Sequence, residues 1–128
     1  MLDLDGLKRV NDAHGHLVGS RALSRVAKTL KLHCRQIDTA ARYGGDEFAV
    51  ILPETEREAA QHVAQRISEE LRNDGDTPTI SVSVGAAIFP QDGKTIDVLV
   101  AAADRALYRD KRPFRRVSTA RRIGDLSV

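Results

Sequence analysis

The stretch "ARYGGDEFAVIL", Ala41 to Leu52, constrains the fold of this chain more than any other. Two strand-like runs, Thr39–Tyr43 and Phe48–Leu52, flank Gly44-Gly45, so the chain doubles back there as a hairpin. A sheet built on that hairpin needs helices to cover it. The tip also carries a carboxylate pair, Asp46-Glu47, which a turn by itself does not require.

The segments on either side supply those helices. Leu7 and Val10 open a helical pattern that breaks at Gly15. It resumes at Leu23, Val26, Ala27 and Leu30, spaced i, i+3, i+4, i+7. After Pro53, Thr55 and Glu58 fit a capping box, and Ala60, Val63, Ala64, Ile67 and Leu71 mark a buried helix face. "TISVSVGAAIF" alternates, with Ile80, Val82, Val84, Ala86 and Ile88 sharing one face of a strand. Thr95 caps a last helix buried through Leu99, Ala102, Ala103, Ala106 and Leu107. Pro113 is expected to end it, with a weak edge strand over 114–117. The order is strand stub, helix, hairpin, helix, strand, helix: an α/β (α+β) fold with helices on one sheet.

The chain has 128 residues, the size of one domain with one modest core. Its net charge of +2 argues against whole-surface attraction to nucleic acid or membrane. No apolar run is long enough to span a bilayer, so no membrane segment is expected. Cys34 is the only cysteine, which excludes an intrachain disulfide and fits a reducing cytoplasm. On an apolar-periodic segment it reads as a packed side chain.

Asp3 and Asp5 stand where a strand gives way to a helix, and Asp46 and Glu47 stand at the hairpin tip. Two acid-bearing strand ends that meet on one sheet edge would suit a divalent metal bound with a nucleotide triphosphate. By spacing alone, the simpler account is that Asp5 caps a helix and the tip acids are exposed turn residues.

Read together, "DLDGLKRVNDAHGH", "RQID", "RYGGDEF", "SVSVGAA" and "AADRALYRDK" resemble, in order and separation, the GGDEF domain of the diguanylate cyclase family. The resemblance runs from Asp3 to about Arg115 and places a GGDEF domain over 1–116, followed by a basic tail over 117–128. It implies a nucleotidyl-cyclase-like fold, a central, mostly antiparallel sheet surrounded by helices. It implies condensation of two GTP molecules into cyclic di-GMP with Mg²⁺ or Mn²⁺, in a homodimer whose protomers each hold one GTP. Asp3, the Leu4 carbonyl and Asp46 match the metal site. Asp46 matches the catalytic base and Glu47 its support. Lys8, Asn11, His16 and Ser20 fall at substrate positions, although His16 could equally be structural. Lys111 and Arg115 match a basic pair that holds the triphosphate. Arg35 and Asp38 match the RxxD inhibitory site for cyclic di-GMP, with Arg66 as its supporting arginine. An alternative is a catalytically weak or inactive domain that serves as a cyclic di-GMP receptor.

Three departures qualify the match. Ser20 stands where the family has a guanine-binding aspartate, and losing one charge-assisted bond costs ~1.5–3 kcal/mol, roughly 10–100-fold in affinity. Phe114 and Arg116 replace the glycine and asparagine of the usual turn, which affects the placement of Arg115. Against the family pattern, the domain is expected to lack its first helix and most of its first strand, since only Met1-Leu2 precede Asp3. Such a stub is expected to leave its sheet neighbours with unpaired backbone groups.

Overall fold

The computed structural model of the chain describes the backbone of residues 1–126 and the side chains of residues 1–111. Among the described residues four strands and four helices follow one another as β1 (Leu2–Leu4), α1 (Leu7–His14), α2 (His16–His33), β2 (Thr39–Arg42), β3 (Glu47–Ile51), α3 (Arg57–Asn73), β4 (Val82–Val84) and α4 (Ile96–Leu126). The strands form one antiparallel sheet in the order β2-β3-β1-β4. The hairpin is therefore formed as expected, and the three-residue stub β1 lies at the sheet centre.

The register sorts side chains onto two faces. Leu2 lies opposite Phe48 and Val84, and Leu4 lies opposite Val82. Successive residues of a strand point to opposite faces. These apolar residues face α2 and α3, where Val26, Leu30, Ile67 and Leu71 complete the core. Leu4, Leu30, Ile67, Leu71 and Val26 are fully buried, each worth roughly 1.5–3 kcal/mol of burial. On the other face Asp3 lies opposite both Ser83 and Glu47, giving a polar row across three strands. The helix α4 covers this face. It lies so close to the sheet that a Cβ on Gly85 would meet the Ala103 carbonyl oxygen at 2.1 Å and the Leu107 nitrogen at 2.3 Å.

Several expectations are corrected. The strand β4 covers only Val82–Val84, opposite Leu4, Asp3 and Leu2, and Met1 and Gly85 exchange two further main-chain bonds at 2.8 and 2.9 Å beyond it. The strand β3 pairs with β1 at Glu47 and Phe48, and with β2 from Phe48 to Ile51. The helix α3 starts with Glu56 as N-cap and no side-chain capping bond. The Thr55 hydroxyl is used elsewhere, donating to the Pro53 carbonyl at 2.9 Å and accepting from Arg35 at 2.9 Å. Thr95 does cap α4, through Val98 N–H at 3.3 Å. That helix continues past Pro113, whose fixed φ is helical and whose cost includes one lost main-chain bond. No edge strand forms over 114–117. The expected basic tail, 117–128, lies outside the residues whose side chains are described. Among the described residues no helix is long and apolar enough to cross a membrane.

Candidate active site

The site starts from the junction of β1 with the hairpin tip. Leu4 N–H donates to the Asp46 carbonyl at 3.0 Å, which ties the tip to the end of β1. The turn closes through Tyr43 and Gly44 N–H groups on the Glu47 carbonyl, at 2.9 and 3.3 Å. Arg42 staples it from the side, with Nε on the Gly44 carbonyl at 3.1 Å and Nη2 on the Gly45 carbonyl at 2.7 Å. Neither Gly44 nor Gly45 has positive φ, so conformational freedom is not their use here. A Cβ on Gly45 would meet nothing within 4 Å, which leaves the tip open to close approach by a ligand.

This junction brings Asp3 and Asp46, 43 residues apart in sequence, to one corner. Asp3 is 5% exposed, and its Oδ1 is buried with no hydrogen-bond partner. Its Oδ2 accepts from Lys111 Nζ of α4. Burial pushes the Asp3 carboxyl above its ordinary value of 3.8; the Lys111 ammonium opposes that shift and neighbouring Asp46 adds to it. Glu47 is half-buried at the start of β3.

An orphaned buried carboxylate oxygen beside a second carboxylate fits a hard divalent cation. Asp3, Asp46 and the Leu4 carbonyl are the groups that could hold it. Among the described residues no set of three or more His, Cys, Asp or Glu side chains converges as a ligand cluster.

Asp5, expected as a helix cap, has another role. The N-cap of α1 is Gly6, in the left-handed region at φ 66, with no side-chain capping bond. Asp5 instead accepts from Ser81 at 2.9 Å and Ser83 at 2.6 Å, and its N–H donates to the Ser81 carbonyl at 2.9 Å. These bonds fix the exit of β1 against β4, and they explain the serines of "SVSV".

The proposed substrate positions fall on two adjoining helices. Lys8 and Asn11 lie on α1, His16 and Ser20 on α2. A Cβ on Gly19 would meet Asn11 Oδ1 at 1.8 Å, so the Asn11 carboxamide rests in the notch that Gly19 leaves. This places Asn11 beside the turn of α2 that carries exposed Ser20. Lys8 and His16 are also exposed. The Arg115 side chain lies outside the described set.

A second corner lies between α2 and β2. Arg35 Nη2 donates to Asp38 Oδ1 at 2.9 Å, to the Pro53 carbonyl at 2.8 Å and to Thr55 at 2.9 Å. Arg35 Nε reaches both Asp38 oxygens at 3.2 Å, and Arg35 N–H donates to Asp38 Oδ2 at 2.6 Å. The guanidinium holds the Asp38 carboxyl below its ordinary range. Arg35, Asp38 and Arg66 line one open cleft of about 760 Å³, with His33 and His62 among its other walls. Half-buried Cys34 adjoins them, and partial burial first, then Asp38, pushes its thiol pKa up.

The geometry agrees with the family comparisons. The family model for the diguanylate cyclase GGDEF domain matches residues 1–116. The chain belongs to the GGDEF family. It is 40% identical over 116 residues to diguanylate cyclase A of Treponema denticola, covering 87% of this chain and 31% of that protein. The GGDEF domain of YfiN (TpbB) from Pseudomonas aeruginosa superposes with a TM-score of 0.82 at 34% identity, covering 88% of this chain and 73% of that one. The GGDEF domain of DgcB from Caulobacter crescentus, solved in complex with c-di-GMP, gives a TM-score of 0.79 at 32% identity, covering 88% and 70%. The chain thus spans under a third of the Treponema protein and most of the solved GGDEF domains.

Proposed function

We propose that this GGDEF domain condenses two GTP molecules into cyclic di-GMP. The observation that carries the reading is the buried, half-satisfied Asp3 carboxylate meeting Asp46 and Lys111 at the hairpin tip. In each of two equivalent steps a ribose 3′-oxygen bonds to the α-phosphorus of the other GTP, and pyrophosphate leaves. Asp46 accepts the proton from the 3′-hydroxyl, and Glu47 supports the site. Mg²⁺ or Mn²⁺, when bound by Asp3, Asp46 and the Leu4 carbonyl, lowers the hydroxyl pKa and neutralises charge at the α-phosphate. Lys111 and Arg115 take the triphosphate, together with Lys8 and the free N–H groups of Gly6 and Leu7 where α1 begins. Asn11, seated against Gly19, reads guanine, with His16 and Ser20 beside it. Each protomer offers one such site, so two copies must face each other.

The test is incubation with GTP and Mg²⁺, with chromatographic detection of cyclic di-GMP. The wild type yields product at a rate that rises more steeply than protein concentration. Asp46→Ala drops the rate on the order of 10²–10³-fold or more. Equal turnover by the variant sinks the assignment.

A second reading is supported by the open cleft that Arg35, Asp38 and Arg66 line. It is a cyclic di-GMP site in which Arg35 grips phosphate and guanine and Asp38 accepts guanine N–H groups. In an active domain it serves product inhibition; in a catalytically weak one it makes the domain a receptor. Mg²⁺-dependent turnover in the assay above separates the two.

A further inference from the structure

The acid corner contains an internal cation. Lys111 Nζ donates to Asp3 Oδ2 across 108 residues of sequence, and the Asp3 side chain there is 7% exposed. Two neighbouring carboxylates, one of them buried, are costly without a compensating charge. One ammonium meets only half of the need, because Asp3 Oδ1 stays without a partner. The position of α4 does not depend on this pair. Asp110, the preceding residue, accepts from Val84 N–H at 2.8 Å, and the helix backbone lies directly on Gly85. Lys111 is therefore held over Asp3 by its neighbours on α4 as well as by the ion pair itself.

We propose that Lys111 is a placeholder for the divalent metal: it holds Asp3 in the metal-free domain, and passes to the nucleotide's phosphates when the metal takes the acid pair. This rests on the metal–triphosphate reading of the site. It goes further in making one lysine both a competitor of the metal and a ligand of the triphosphate. Metal entry releases the ammonium that the triphosphate needs, and the triphosphate draws away the ammonium that blocks the metal. Each favours the other by the same factor. The domain consequently takes up metal and nucleotide as a unit and binds free metal weakly.

The test is calorimetric titration with Mn²⁺ alone, without nucleotide, on wild type, Lys111→Met and Asp3→Asn. Lys111→Met is expected to bind Mn²⁺ more tightly on the order of 10-fold, while its affinity for a non-hydrolysable GTP analogue with Mg²⁺ falls. Opposite signs in the two titrations are the signature, since a lysine that only holds phosphate would leave the Mn²⁺ affinity unchanged. Unchanged or weaker Mn²⁺ binding by Lys111→Met overturns the proposal. If circular dichroism shows that this variant is not folded, Lys111→Gln, with a polar tip, decides by the same criterion. Asp3→Asn separates the two layers of the argument. Undiminished Mn²⁺ binding there removes the metal site itself, whereas loss of binding with no gain in Lys111→Met removes only the placeholder.

Discussion

The two charged corners of this domain are built on opposite terms. At the hairpin tip Asp3 is buried, has one oxygen with no partner, and its carboxyl is pushed up by that burial. Between α2 and β2, Asp38 is met by the Arg35 main chain and guanidinium together, and its carboxyl is held down. The first corner is short of positive charge, so a cation entering it completes a set. The second is already complete, and a ligand entering it must replace bonds that exist. Under the proposed function, binding at the tip would be limited by what the site lacks, and binding at the Arg35 cleft by what the site must give up.

The strongest challenge to this contrast is Arg35→Ala. Calorimetry with cyclic di-GMP should show affinity falling on the order of 100-fold, because charge-assisted bonds to phosphate and base are lost. Equal binding by variant and wild type would mean that the cleft is not the site. Next in size, Ser20→Asp should sharpen the nucleotide side. A carboxylate beside Asn11 adds one charge-assisted acceptor for guanine, worth ~1.5 kcal/mol or about 10-fold at this exposed position. The check is a tighter Kd for GTP with no matching gain for ATP, and a parallel gain for both would refute base recognition at this position.

The smallest effect tests the contrast directly, by melting metal-free Asp3→Asn and Asp38→Asn. The Asp3 carboxyl has a raised folded pKa, so its ionised form weighs against the fold above that pKa. Asp3→Asn should therefore raise Tm slightly at neutral pH, with the gain fading as pH falls and the native acid takes up its proton. The Asp38 carboxyl is depressed, so its contribution is present above its ordinary value of 3.8 and is lost as pH falls through the lower folded value. Asp38→Asn should lower Tm at neutral pH and converge with wild type only in strong acid. Shifts of the same sign in the two variants would dissolve the distinction.

Local patterns foretold the hairpin and the helices, because each is encoded by periodicity within a few neighbouring residues. What they left out depends on partners. The alternation through Ile88 shows which face a residue takes, yet it does not show where pairing stops, and β4 ends at Val84. The serines at 81 and 83 look like ordinary strand residues until β1 and β4 are known to be adjacent; only then does their bond to Asp5 become visible. The notch at Gly19 likewise needs α1 laid against α2, although a glycine inside a helical run is a signal that something approaches closely. The capping box at Thr55 was a plausible local solution overridden by Arg35, 20 residues away. The sequence order of the motifs points to acids at the end of β1 and at the hairpin tip, and Leu4 N–H on the Asp46 carbonyl joins those two segments. The pairing of Asp3 with Lys111 follows from the tertiary position of α4.

The contact between α4 and Gly85 also has a mechanical meaning. Leu107 rests on that glycine, and Lys111 lies one turn further, about 6 Å along the same helix. With no side chain between them, sheet and helix are in direct register, and the glycine acts as the fulcrum of a short lever whose end is the Lys111 ammonium. A methyl group at the fulcrum would lift the rod as a whole. Under the proposed function its tip would then miss the phosphates, although every residue assigned to the nucleotide would be intact.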